Sequence, residues 1–212
     1  MSVRANQRIR TREALVRAAV ELVREGCSPS MPDAADRALV SNATAYRYFA
    51  SADELWLEAS LAAADFGPML DEADTLMERA GDDLQARLEA AVRSIGWRML
   101  DDQVPFRLVA KSALERWFAQ ADARPEDRVP VREGRRNRAS RTVVEPLVGR
   151  LDDRDLDRLT AALGLVLGTD AMLALTDGVG LGADEAKTVL VDAGRWLLAG
   201  ALADLGDTAD VG

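Results

Sequence analysis

The sequence predicts an all-α protein, with a three-helix head at the N-terminus carried on a C-terminal helical bundle domain. Three observations predict it. Ala, Leu, Arg, Asp and Glu dominate, and the apolar residues recur at helical i, i+3 and i+4 steps. Residues that start and stop helices fall at the ends of these periodic tracts. No convincing strand interrupts them. The expected division is a head over residues 1–50 and a helical bundle over residues 51–212.

The elements follow in order. A first helix is expected over 8–24, with Leu15, Ala18, Ala19 and Leu22 on its buried stripe and Gly26 as its stop. Ser30 caps the next helix: Pro32 is tolerated in a first turn and Asp33 completes a capping box, giving a short helix over 31–38. Ser41 caps a second short helix ending near Tyr48, and Ser51 with Glu54 forms another box that opens a helix to about residue 64. A tract over 82–101 carries Leu84, Leu88, Val92, Ile95 and Met99 on one face, and a tract over 104–119 carries Phe106, Val109, Ala113 and Trp117. Residues 120–133, with two prolines and many charges, are expected as a loop. A helix over 134–149 follows, cationic at its start through Arg135, Arg136, Arg138 and Arg141. The last two helices, 152–176 and 183–205, are apolar on more than one face, and Gly178, Gly180 and Gly182 mark the turn between them.

Composition excludes several function classes. The chain has 212 residues and no histidine, so a histidine base, a Ser-His-Asp triad and histidine metal sites are ruled out. Cys27 is the sole cysteine, which leaves neither an intrachain disulfide nor a thiolate zinc site and fits a reducing cytoplasm. No glycine-rich phosphate loop follows a strand, so neither an enzyme activity nor a cofactor nor a metal is expected. The apolar tract 161–175 contains Thr169 and Asp170 and is too short for a membrane span, and the N-terminus lacks the apolar core of a secretory signal. Net charge is −9, but it is unevenly spread. Residues 1–50 hold eight arginines against five acids, a head of +3 on a remainder of −12.

Two short helices joined by a tight turn and backed by a longer first helix describe a helix-turn-helix. Ala35 supplies the small residue needed at their crossing and Ala45 the one facing inward. Asn42, Thr44, Tyr46, Arg47 and Tyr48 fall where an exposed face is expected. The segment 38–49, Ala-Leu-Val-Ser-Asn-Ala-Thr-Ala-Tyr-Arg-Tyr-Phe, followed by Ser51 and Leu55, resembles the recognition segment of the tetracycline-repressor (TetR) family. Thr44, Tyr46, Tyr48, Phe49, Ser51 and Leu55 carry the resemblance, together with the upstream run over 18–22; it covers roughly residues 8–57. Three positions depart from the family pattern. Leu39 stands at the usual turn glycine, Ala34-Ala35 at the usual Ile-Ala, and Ala52 at the usual lysine.

The resemblance implies a cytoplasmic, homodimeric transcription regulator, a repressor that leaves a pseudo-palindromic duplex DNA operator when a small molecule binds. Asn42 and Thr44 then reach base edges. Tyr46, Arg47 and Tyr48 hold phosphate. The helix starts at Ser30 and Ser41 add to the DNA-binding set, with N–H groups at Ser30 open to a phosphate, and Arg4, Arg8 and Arg10 form a basic arm. For Phe49 the reading is a core aromatic; for Tyr46 and Tyr48 core and phosphate roles both stand. In the bundle, Leu156, Leu159, Leu163 and Val166 with Leu190, Leu197 and Leu202 are expected to form the dimer seam, with Gly194 and Gly200 allowing close approach. Trp97, Phe106, Trp117 and Met172 are either ordinary core or the lining of a pocket for a mostly apolar effector. Asp170 on an apolar stripe needs a partner, Arg195 or a polar effector group. The rival readings are a helical protein of this type that has lost sequence-specific DNA binding and acts through protein contacts, and a small helical enzyme using paired carboxylates.

Overall fold

The computed structural model describes residues 3–25, 30–124, 126 and 135–209. All regular structure among them is helical, and the sole β feature is a bridge between Val148 and Leu151. Cys27, Gly26 and most of the expected loop over 120–133 lie outside the described residues, as do the side chains of Arg4, Arg135 and Arg136. Two compact units emerge: Met1–Phe66 with Val104–Val131, and Gly67–Gln103 with Arg132–Gly212.

In the first unit α1 (Val3–Arg24) starts five residues earlier than expected, so Arg8 and Arg10 lie on a helix rather than on an arm. It packs against α2 (Met31–Arg37) and α4 (Ala52–Ala64), and α3 (Asn42–Tyr46) packs on α2. Leu15, Ala19, Leu22 and Val23 of α1 meet Met31, Ala34 and Ala35 of α2, Ala45 of α3, Phe49, and Leu55, Ala59 and Ala63 of α4 in one apolar cluster. Val104 and Leu108 of α8 (Gln103–Ala119) pack against the same cluster. Along α8 the expected stripe holds for Phe106 and Ala113, which are buried, and fails at its end: Trp117 is 52% exposed, with Leu114 and Phe118 also exposed. Helical periodicity gives the direction of a side chain but not whether a partner element reaches that far along the helix.

The second unit opens on α5 (Phe66–Arg79), a helix no expectation covered. Asp65, in the left-handed region at φ 48°, ends α4, and Gly67-Pro68 follows at once. That dipeptide looks like a break, but proline in a first helical turn loses no hydrogen bond. Next come α6 (Leu84–Ala91), capped by Asp83, a π-helical turn over Val92–Trp97, and α7 (Arg98–Asp101). α9 (Arg135–Val144) tightens into a 3-10 turn over Glu145–Leu147, at Pro146. α10 (Asp153–Val166) and α11 (Thr169–Leu173) replace the expected single helix 152–176. Gly168, extended at φ −106° and ψ 158°, starts α11 afresh, and the segments before and after it meet at 42°. Asp170 therefore stands in the first turn of α11, half-buried, where the helix dipole favours a carboxylate. A second π turn (Ala174–Val179) leads to α12 (Ala183–Ala209). Among the described residues no single helix is long and apolar enough to cross a membrane; only α10 joined to the Thr169–Val179 segment, a bent pair, reaches that length.

α12 lies against α6, the first π turn and α10. A Cβ on Gly96 would stand 2.4 Å from Leu190 Cδ2, so a larger residue there requires the Leu190 side chain to shift. A Cβ on Gly194 would meet Leu88 Cδ2 of the same chain at 3.3 Å, whereas Gly200 faces open space. Leu159, Leu163, Val166 and Leu190, expected on a dimer seam, are buried within the chain. The apolar side chains left exposed on these helices are others, notably Leu165 and Trp196.

Arg87 holds the second unit together in a way periodicity does not reveal. It is 5% exposed, and its guanidinium donates to the carbonyls of Met77, Gly81, Thr142 and Val143 and to Glu145 Oε2. It thus satisfies the carbonyl ends of α5 and α9 at once, which a buried helix end requires, and the planar fork of donors suits arginine alone.

Candidate nucleic-acid interface

The two short helices are fixed by local chemistry at each end. Ser30 caps α2: its Oγ accepts from Asp33 N–H at 3.4 Å, and Asp33 Oδ2 accepts from Ser30 N–H at 2.7 Å. Ser30 Oγ also lies 2.7 Å from Asp33 Oδ2. The donors expected to face an incoming phosphate at Ser30 are thus directed to a carboxylate of the chain itself. These bonds from Ser30 hold the Asp33 carboxyl below the usual carboxylate range.

α2 ends in a paired turn. Val40 N–H donates to Ala35 O at 2.9 Å and Leu39 N–H to Asp36 O at 3.1 Å. These are the 6→1 and 5→2 bonds of a Schellman motif, which needs a left-handed residue between them. Leu39 is that residue, at φ 56°, and its side chain is 92% exposed. At the position of the usual turn glycine, leucine thus holds a conformation strained for a residue with a Cβ, and packing does not offset it.

Ser41 caps α3, accepting from Thr44 N–H at 3.2 Å, while its Oγ lies 2.9 Å from Thr44 Oγ1. The Thr44 hydroxyl is engaged inside the cap and the residue is half-buried. Ala45 is fully buried against α2, with Phe49 behind it, as expected for both. That anchoring turns the other side of α3 outward: Asn42, Ala43, Tyr46 and Arg47 are exposed, and Tyr48 is half-buried on the cluster. Ala43 was not among the expected residues, and an alanine's type gives no signal of a contact role.

Several of the head's arginines are committed within the unit. Arg12 forms a bidentate pair with Glu58 and stacks over the Phe49 ring at 4.9 Å. Arg37 donates to both carboxylate oxygens of Glu25, at 2.6 and 3.1 Å, and lies 3.8 Å from Glu21. This pairing keeps the Glu25 carboxyl below its ordinary value. Arg47 has no ion-pair partner among the described residues. Ser51 opens α4 by accepting from Glu54 N–H at 3.2 Å, and Glu54 reaches back to Ala50 N–H at 2.7 Å, one residue short of the expected box.

The four residues expected around an effector fall in different units. Phe106, in the first, is buried and meets Phe66 edge-on at 5.5 Å between centroids; Trp117 is exposed and meets Phe118 edge-on at 5.1 Å. Met172, in the second, is buried, and Trp97 is half-buried, with the Arg93 guanidinium 4.7 Å and the Lys187 ammonium 5.6 Å from its ring centroid. Arg195 lies 3.8 Å from Glu89 and 4.0 Å from Asp192.

Comparison with protein-family models, with curated proteins and with solved structures finds no match to this chain.

Proposed function

We propose that this chain is a DNA-binding transcription regulator resembling the tetracycline-repressor family, with α2, its turn and α3 as a helix-turn-helix head. The observation that carries the reading is the pair of short helices closed by a Schellman turn, with Ala45 and Phe49 anchored behind and Asn42, Tyr46 and Arg47 turned outward. A helix held by its inner face and offering an amide, a phenol and an unpaired guanidinium is suited to the major groove. Asn42, next to the cap, lies where base edges are reached and can pair bidentately with adenine. Tyr46 and Arg47 hold phosphates and set register. Ser41 and Thr44 act by fixing the start of α3 through their mutual bonds.

The remaining parts of the proposal are those the family resemblance implies: a cytoplasmic homodimer that uses the C-terminal helices for assembly and the bundle for a mostly apolar small molecule, whose binding releases the operator. Leu165 and Trp196, exposed on α10 and α12, support a self-complementary contact there. Neither an enzymatic activity nor a cofactor is part of this reading.

A second reading has a specific observation in its favour. Leu39 strains the turn, and Ala52 offers no phosphate contact at the start of α4. A head that has drifted from DNA and acts through protein contacts accounts for both. A gel-shift with DNA flanking the chain's own gene separates the two: a discrete, competitor-resistant complex supports the regulator, and binding that unlabelled random DNA abolishes supports the drifted head.

A further inference from the structure

The buried hydroxyls of Ser60 and Thr160 donate to the carbonyls of Trp56 and Leu156, four residues back, at 2.6 and 2.7 Å. Ser94 is also buried, and its Oγ, though enclosed, has no partner among the described residues. It lies in the π turn over Val92–Trp97. At the end of the same turn the Trp97 Nε1 is also enclosed and unpaired. The two groups belong to the same turn, three residues apart in sequence. An indole N–H is a donor only, so nothing but an acceptor satisfies it. Buried donors without acceptors are rare in native proteins. Two together, on an irregular turn of a kind frequent at functional sites, mark the place of a partner that the described residues do not supply.

The surrounding charges define that partner. Two cations approach the Trp97 ring, Arg93 and Lys187. Both are already matched: Lys187 Nζ lies 2.5 Å from Asp101 and 3.6 Å from Asp184, and Arg93 lies 3.9 Å from Glu89. Arg195 shares Glu89 with Arg93, so three acids face three bases and no net charge is left to hold an anion or a cation. Cations over the indole face draw electron density from the ring and make its N–H a better donor. α12 packs against this turn, with Leu190 close over Gly96.

We propose that Trp97 Nε1 and Ser94 Oγ bind a small molecule through a neutral carbonyl or amide oxygen. This rests on the small-molecule-responsive reading above and names the polar group that an otherwise apolar effector must carry.

The test follows the Trp97 indole proton by nitrogen–proton correlation spectroscopy of the full chain, with Trp97→Phe identifying its resonance among the four tryptophans. Acetophenone and benzamide are the probes, and benzoate is the matched anion. The expected result is a saturable downfield shift of the Trp97 indole proton with the two neutral probes and none with benzoate. Ser94→Ala should weaken acetophenone by about fivefold, the loss of one neutral hydrogen bond. No shift with any probe, or an equal shift with benzoate, overturns the proposal. So does a persistent contact between the indole proton and a long-lived water at saturating probe, which would make the pair a hydration site only. The titration is run without DNA. A chain that shifts Trp97 but binds no duplex loses the regulator reading and keeps this one, and the reverse outcome loses only this one.

Discussion

Replacing Leu39 by glycine should make the protein more stable, although leucine is the more apolar residue. The left-handed conformation at φ 56° is demanded by the two turn bonds from Val40 and Leu39 N–H groups. An L-residue with a Cβ pays about 1–2 kcal/mol to adopt it. The side chain is 92% exposed, so deleting it gives up almost no burial. Glycine's extra freedom in the unfolded chain costs about 0.5–1 kcal/mol of that gain. The net expectation is a stabilisation of about 0.5–1 kcal/mol, or about 1–4 °C in Tm for a chain of this size. Urea denaturation followed by circular dichroism reads it as a raised midpoint at unchanged slope. Leu39→Ala is the control: it removes the apolar side chain but keeps the Cβ, and should change stability little. A glycine variant no more stable than the parent, or an alanine variant that gains as much, would refute the strain argument.

Other outcomes follow from the same geometry. Arg87→Met should destabilise by about 3–5 kcal/mol, because four carbonyls, buried or part-buried, and Glu145 lose their shared donor; Arg87→Lys should recover little in the same denaturation assay, since an ammonium cannot span acceptors from both α5 and α9. Two carboxyls of the head, Asp33 through Ser30 and Glu25 through Arg37, are held below their ordinary values. A lowered folded value means stability that is present above the unfolded value and lost as pH falls through the folded one. Unfolding midpoints should therefore hold from neutrality down to about pH 5 and drop below about pH 4, and Asp33→Asn should flatten that acid limb. Trp196→Glu or Leu165→Glu should leave a folded, soluble monomer from a parent that scatters light as a dimer at micromolar concentration, since both side chains are exposed within one chain. Leu163→Glu should instead unfold the chain, because Leu163 is in its core; a monomeric parent would remove the assembly proposal altogether.

What the sequence made legible was local. Ser30, Ser41 and Ser51 cap the helices they were expected to cap, because a cap is a contact between residues three apart. The left-handed Leu39 could be anticipated because the turn's bonds span only residues 35–40. Features set by distant neighbours escaped. Arg87 looks like any surface arginine until α9 brings acceptors 55 to 58 residues away. Leu159 and Leu163 were assigned to a seam between chains because their stripe is apolar; α9 and α12 of the same chain pack against their helix. The helix over Phe66–Arg79 was hidden by Gly67-Pro68, and the break at Gly168 by the unbroken apolar period on either side of it. For the interface, residue type told which side chains can contact DNA, while the engagement of Ser30 by Asp33 and of Thr44 by Ser41 depends on geometry that type alone does not give.

Whether the head reads sequence is decided by selecting bound duplexes from fragments of the whole genome with the purified chain, followed by titration of the best duplex against salt. The expected result is enrichment of a pseudo-palindrome whose affinity falls steeply with salt as phosphate counterions are released. Asn42→Ala should relax the preference at one base pair of each half-site. Arg47→Ala should weaken binding across all sequences and reduce the salt slope by about one. Recovery of fragments in proportion to their abundance, with no motif enriched by the parent chain, would contradict the account.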